Sequence, residues 1–384
     1  MKTQVLSLMS LALFCSDDCQ AKQFPAFTYH RIDTIGNRLG QTDLVDMDRD
    51  GDLDWVVGEA PWSNTSRLWW WEYQGPDKWV RHDIGKSDTD VGGDCHDVNG
   101  DGWIDFWGGR VLYLNQRDGS FTRHEVGTIF SHDSQFVDIN GDDRIDGIAN
   151  SDQYGLVWYE IPEDPREPWT EHVIQLAAQH KIHGGVSPQP VGDIDGDGDS
   201  DVVTGRAWYE NVDGKGLRWR QHQNIDLGEA HQYGIALRTW VIDMDHDGDP
   251  DVVQSEADNP DGRVAWFEND GQGNWTRHMI KDKGDRQDFH SLIVADFDND
   301  GDWDVFSGGG PLSSGQYKSY LWENTAGPKG RATSKDWVEH IIAEMPCHEA
   351  VGGDVDGDGD IDICSKPWKV GNEHFYLQNR LNEK

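Results

Sequence analysis

Seven short stretches carry aspartates at alternate positions, following the pattern Asp-x-Asp/Asn-x-Asp-x-x-x-Asp, usually with glycine sixth. The oxygen-bearing side chains are Asp46, Asp48, Asp50 and Asp54; Asp97, Asn99, Asp101 and Asp105; Asp138, Asn140, Asp142 and Asp146; Asp193, Asp195, Asp197 and Asp201. Three more sets follow: Asp243, Asp245, Asp247 and Asp251; Asp296, Asp298, Asp300 and Asp304; Asp354, Asp356, Asp358 and Asp362. Oxygens at alternate positions of a tight loop suit a hard cation, since Ca²⁺ takes about six to eight of them. The spacing predicts up to seven structural Ca²⁺ sites, which brace the loops and perform no chemistry, because metal binding to a closed shell adds to folding free energy.

A second set of residues is suited to proton transfer or to a transition metal. The position six residues ahead of each loop reads Gly40, Val91, His132, Ser187, Leu237, His290 and His348, with Asp133, Arg238, Ser291 and Glu349 next along. Two longer entries, "HKIHGGVSPQP" and "HQYGIALRTW", add His180, His183, His231 and Tyr233. Imidazole titrates near neutral pH and is a common metal ligand, so a further divalent metal can join the structural Ca²⁺ among these histidines.

The elements that must hold these residues are read from two further repeats in step with the loops. An aromatic strand follows each loop, as in "WWWEY" from Trp69, "AWYEN" from Ala207 and "AWFEN" from Ala265; an aromatic-x-x-His strand comes next, as in Trp79/His82 and Trp219/His222. Four short antiparallel strands per repeat, arrayed radially, make an all-β fold, a seven-bladed β-propeller. One aromatic-x-x-His copy, Phe27/His30, precedes the first loop, so the N-terminal strand is expected to complete the last blade and hide its edge. The acidic loops then join the innermost strand of each blade to the second on one face. At about 3.3 Å per residue, the position six residues ahead lies roughly 20 Å away, near the opposite mouth of the central channel. Connections between second and third strands reach that mouth too and bring Glu59, Trp62, Arg110, Asp152, Tyr154, Arg206, Glu256, Asp258, Lys366 and Trp368; Trp107 falls nearby. The histidines of the outer strands repeat with the blade, so a single site cannot require them, and they are expected to bond neighbouring carboxylate or backbone groups.

Composition narrows the partners. A formal net charge of −38 repels a nucleic-acid backbone. Nothing beyond the N-terminus approaches the roughly 20 apolar residues of a membrane span. Residues 1–21 read as an export signal: Lys2, an apolar run from Val5 to Cys15, and small residues placed for cleavage after Ala21. Residues 22–384 are then expected to form one propeller domain of a secreted or periplasmic protein. Cys95, Cys347 and Cys364 are expected to be buried thiols.

The acidic loops, the "WYEN" strand and the "WxxHxI" strand resemble the VCBS/FG-GAP class of repeats over residues 27 to 379. Within that class, "HSLIVADFDNDGDWDVFSGG" and "HEAVGGDVDGDGDIDICSKPW" resemble propellers of the aldos-2-ulose dehydratase kind. Seven-bladed secreted polysaccharide lyases are similar in architecture. The resemblance implies a carbohydrate ligand, and cations beside His and Tyr suit an anionic polysaccharide or oligosaccharide. The leading expectation is a carbon–oxygen lyase, performing β-elimination on a uronate-containing polysaccharide or dehydrating a keto-sugar. His132, His183, His231, Tyr233, Arg238, His290 and His348 are its expected catalytic groups; Arg110, Tyr154, Arg206, Glu256, Lys366 and Trp368 would hold substrate. A noncatalytic calcium-stabilised propeller binding glycan or protein is the alternative, and a glycoside hydrolase using two of the mouth carboxylates the next.

Overall fold

The computed structural model describes residues 24–63, 65–88, 91–327, 330–369 and 371–382. The export signal expected at residues 1–21 lies outside them. Seven antiparallel four-stranded blades stand in a ring, with almost no helix. The innermost strands are Leu39–Val45, Asp94–His96, Asp133–Val137, Val191–Gly192, Ala236–Ile242, Ile293–Ala295 and His348–Gly353, which number blades 1 to 7. Among the described residues, no helix is long and apolar enough to cross a membrane.

Ring closure follows the N-terminal repeat. Phe27–Asp33 pairs antiparallel with His374–Asn379, from Phe27 opposite Asn379 to Asp33 opposite His374, and supplies the outer strand of blade 7. Blade 4 departs from the regular pattern. Its innermost strand shrinks to Val191–Gly192, while Pro188–Gln189 pairs in parallel with Ala236–Ile242 of blade 5. Pro188 and Pro190 remove ladder donors on either side of Gln189, which is where a regular strand would have continued.

The core lies between blades. Trp55, Trp69, Trp71 and Tyr73 of blade 1 pack on Cys364 and Tyr376 of blade 7; Trp158 of blade 3 packs with Val202 and Tyr209 of blade 4. Trp107, read from the sequence as a residue near the mouth, is wholly buried with Phe136 and Trp169 and donates to the Gly109 carbonyl at 2.9 Å. Four outer-strand histidines, His82, His172, His222 and His278, stack on third-strand tryptophans, as His222 does on Trp208 at 4.1 Å, and pair with a glutamate, as with Glu210 at 2.7 Å. Cys95, Cys347 and Cys364 are buried free thiols.

The ninth aspartate of six of the seven loops has a structural task that spacing does not reveal. Asp54, Asp105, Asp201, Asp251, Asp304 and Asp362 are buried, and each accepts one backbone N–H from its own loop and one from the end of the third strand. The asparagine ending "WYEN" then reaches the preceding blade: Asn211 donates to the Ile139 carbonyl at 3.0 Å and Asn269 to that of Ile194 at 2.7 Å. Loop, third strand and neighbouring blade are thus tied at one point.

A buried imidazole at the closure makes stability depend on pH. His374 is fully buried; its Nδ1 accepts from Trp55 Nε1 at 3.1 Å and its Nε2 donates to the Ile35 carbonyl at 2.9 Å. Burial lowers its pKa to about 4, against the opposing pulls of the Ile35 carbonyl and Asp33, with Lys366 lowering it further. The unfolded chain binds this proton first as pH falls, so stability is whole above about pH 6.5 and drains away toward pH 4, by up to about 3 kcal/mol. The free-energy gap between the parent and His374→Gln in urea unfolding should therefore shrink between pH 7 and pH 4.5; an equal gap at both values would contradict this account.

Candidate active site

The mouth opposite the acidic loops opens into a cavity of about 420 Å³, lined by Arg38, Trp62, Val91, His132, Asp152, His183, Tyr233, Asp258, His290, Pro311, Leu312, His348, Trp368 and Lys369. Four imidazoles from three blade entries and one connection meet here. His132 precedes the innermost strand of blade 3, His290 lies ahead of that of blade 6, and His348 opens that of blade 7. His183 arrives on the connection after a one-turn helix, Ala177–His180. The rings of His132 and His183 lie 4.2 Å apart edge to face, and those of His290 and His348 lie 4.2 Å apart stacked.

His132 and His183 are oriented through hydrogen bonds at Nδ1, whereas His290 only approaches a carboxylate there. His132 Nδ1 meets Asp133 Oδ1 at 2.9 Å, His183 Nδ1 meets Asp152 Oδ2 at 2.6 Å, and His290 Nδ1 lies 3.1 Å from Glu349 Oε1. His348 differs, because its Nδ1 faces Lys366 Nζ at 2.9 Å while the same amine donates to the Gly40 carbonyl. A second layer locks the carboxylates: Arg238 reaches Glu349 at 2.5 Å and Asp133 at 3.6 Å. Glu349 and Asp258 both hold left-handed backbone, with φ of 53° and 50°, which non-glycine residues adopt at a cost.

The electrostatics follow from burial and these pairs. Burial raises Asp133, but His132 and Arg238 overcome it and hold the carboxyl well below its ordinary range. Burial lowers His348, reinforced by the Lys366 charge, whereas Asp258 and Glu349 hold His290 well above its ordinary value despite burial. Burial brings Lys366 down to about 7. Asp288, fully buried next to His290 and Asp258, is pushed up to about 7 by burial first.

Of the residues expected at the mouth, Trp62, Val91, His132, Asp152, His183, Tyr233, Asp258, His290, His348 and Trp368 line this one cavity. Lys366 and Arg238 lie behind the cavity wall as supports. The others are not brought to it. His231 is held by its backbone to Gly234, with its ring 4.0 Å from Glu229. Arg110 pairs with Asp88 at 3.2 Å, and Arg206 lies half-exposed in a separate groove with Tyr209 and Gln221. Glu256 is buried and taken by Arg263 through two contacts of 2.7 and 2.8 Å, while Tyr154 is exposed at a turn of blade 3. Arg38, Asp288 and Lys369 were not singled out by the spacing. Each stands within two residues of Gly40, His290 or Trp368, so reading that short interval around the ring position would have found them.

The acidic loops gather on the other face. The carboxylates of Asp46, Asp48 and Asp50 come within 4.8 Å of one another, as do those of Asp193, Asp195 and Asp197 and those of Asp296, Asp298 and Asp300. Asp193 Oδ1, Asp195 Oδ1, Asp354 Oδ1 and Asp356 Oδ1 are buried without a hydrogen bond, which fits a cation-binding loop.

Residues 243–307 match the model of the FG-GAP-like repeat, a stretch running from the acidic loop of blade 5 into blade 6. No curated protein sequence matches the chain. Among solved structures, an Agrocybe aegerita lectin described as recognising non-reducing terminal N-acetylglucosamine is similar at 14% identity and a TM-score of 0.52, covering 84% of this chain and 91% of that one. BBS1N, solved in complex with ARL6DN, is similar at 10% identity and a TM-score of 0.56, covering 91% and 95%. At these identities the likeness is one of fold. The protein is a seven-bladed β-propeller, and its residues 243–307 are similar to the FG-GAP-like repeat.

Proposed function

We propose that this protein is an exported, calcium-braced carbohydrate lyase that eliminates across a carbon–oxygen bond of an anionic sugar at the His-rich mouth. The observation that carries the reading is the cavity itself, where oriented imidazoles and a phenol meet under an aromatic and cationic rim. Trp62 is 46% and Tyr233 50% exposed, so both offer a face to a sugar ring. Arg38 and Lys369 are the cations beside them and hold the sugar carboxylate.

The chemistry follows from placement. Proton abstraction beside a carboxylate is slow because charge builds on that group, so cations must receive it as the C–H bond breaks. His348 Nε2 accepts the proton, the C–H electrons form the new C=C bond, the C–O bond breaks, and the Tyr233 O–H gives its proton to the departing oxygen. With the His348 ring proton on Nδ1, facing the Lys366 amine at 2.9 Å, Nε2 is left free to accept. Tyr233→Phe should lower formation of ultraviolet-absorbing unsaturated product by about 10²–10⁴-fold with sugar binding retained. A panel of uronate polysaccharides and keto-sugars yielding no product with the parent protein would sink the reading.

A second reading, a noncatalytic glycan-binding propeller, draws support from the lectin of similar fold. It expects glycan binding without product, and Trp62→Ala to cost affinity alone.

A further inference from the structure

Behind one wall of the mouth cavity lies a second groove, of about 550 Å³, whose lining differs in charge from the rest of the molecule. Asp and Glu make up 71 of the 384 residues, and four other cavities each carry two or more of them, yet no carboxylate lines this one. Its charged residues are Lys181, which follows the one-turn helix, and Arg206, in the turn between Asp201–Thr204 and Ala207–Asn211 of blade 4. Lys181 is exposed, and among the described residues no carboxylate pairs with it. Arg206 reaches Asp226 only at 3.8 Å, and Asp226 is already held by Arg277 at 2.9 Å. Gln179, Gln221 and Gln223 add exposed amides, while Ile182, Ile225 and Ile235 supply an apolar wall. Thr204, also on the lining, is wholly buried with its hydroxyl unbonded, a group that costs stability until a partner reaches it.

We propose that this groove is a second binding site, which holds a uronate unit of a glycan chain through Lys181 and Arg206. Two cations answer a carboxylate, amides that both donate and accept answer hydroxyls, and an apolar wall answers the C–H face of a sugar ring. An inorganic anion would leave most of such a volume empty. Only a thin wall separates the groove from the mouth. Ile182 and Ile235 form a parallel bridge, and the His183 N–H donates to the Ile235 carbonyl at 2.9 Å. Ile182 and Ile235 line the groove, whereas His183 and Tyr233 line the cavity. Two residues of backbone span at most roughly 7 Å, so Lys181 stands about one sugar unit from His183. The inference rests on the sugar reading of the mouth for its direction, and it makes the ligand a chain that crosses this wall in place of a single sugar.

Isothermal titration calorimetry with glucuronate, with a longer glucuronate-containing oligosaccharide and with inorganic sulfate as competitor tests the groove. The parent should bind the oligosaccharide more tightly than the single sugar. Joint Lys181→Gln and Arg206→Gln substitution should weaken oligosaccharide binding about 10–100-fold, the worth of one charge-assisted contact, and so remove the advantage of length. Arg166→Gln takes away an equal charge beside Asn99 and Asp101 of an acidic loop and should bind as the parent does. Parent-like oligosaccharide binding by the folded double variant overturns the proposal, as does a parent that gains nothing from length. Sulfate displacing the oligosaccharide as well as glucuronate does would reduce the groove to a plain anion site and overturn it too. Binding that depends on the groove, without unsaturated product, would retire the lyase and leave the groove standing; product from a parent whose groove variant binds equally well would do the reverse.

Discussion

A chain that starts after Asp33 should fail to close its ring and be recovered unfolded or aggregated. The strand Phe27–Asp33 makes the outer ladder of blade 7 with His374–Asn379, and its side chains reach further. Phe27 packs edge-on to Phe297 of blade 6, and Phe24 stacks on His340 of the same blade at 3.8 Å. Each ladder hydrogen bond contributes about 0.5–1.5 kcal/mol net, and each apolar side chain returned to water costs about 1.5–3 kcal/mol. Together these losses amount to roughly 5–10 kcal/mol, comparable with the whole stability of an ordinary domain. The strand His374–Asn379 would also be left as an open edge able to pair with another chain. Circular dichroism and size-exclusion chromatography of the truncated and parent proteins measure this. A truncated monomer melting within a few degrees of the parent would show that the closure is dispensable.

Stripping Ca²⁺ should lower the melting temperature by on the order of 10 °C or more. We propose that the acidic loops bind Ca²⁺, and their buried, unbonded carboxylate oxygens support this. Burial first, and then the neighbouring loop aspartates, push Asp54 up to about 8 and Asp304 to about 9, and a bound cation would relieve that repulsion. A ligand at about 100 times its Kd stabilises by about 2.7 kcal/mol per site, and several loops act on one fold. The ninth aspartates transmit the effect, since six of them tie their loop to the third strand of the blade. Melting with chelator, then with excess Ca²⁺ or Mg²⁺, checks it: Ca²⁺ should restore the parent value, while Mg²⁺, which demands a tighter octahedral shell, should restore little. A melting curve indifferent to chelator would remove calcium from the account.

How much of this was legible in the chain can be argued from particular residues. Loop spacing determined the number of blades, because each Asp-rich turn can serve only one hairpin. The displaced Phe27/His30 copy determined the closure, because only a strand missing from one end can complete a blade at the other. The same counting put His132, His290 and His348 at one height in the channel, since rise per residue is a local property of a strand. Tertiary structure alone decided the company they keep. His132 and His348 are 216 positions apart and meet only because the ring closes. Height along a strand also does not say whether a side chain points into the channel, into the space between blades, or outward. That rotation sent Leu237 and Trp107 into the core, gave Glu256 to Arg263, and turned Arg238 to Glu349 behind the wall. It also brought Asp258, on left-handed backbone, between His183 and His290. Periodicity carries the scaffold because every blade obeys the same local rule; the site departs from the repeat, so its contacts exist only once seven different entries face each other across a closed channel.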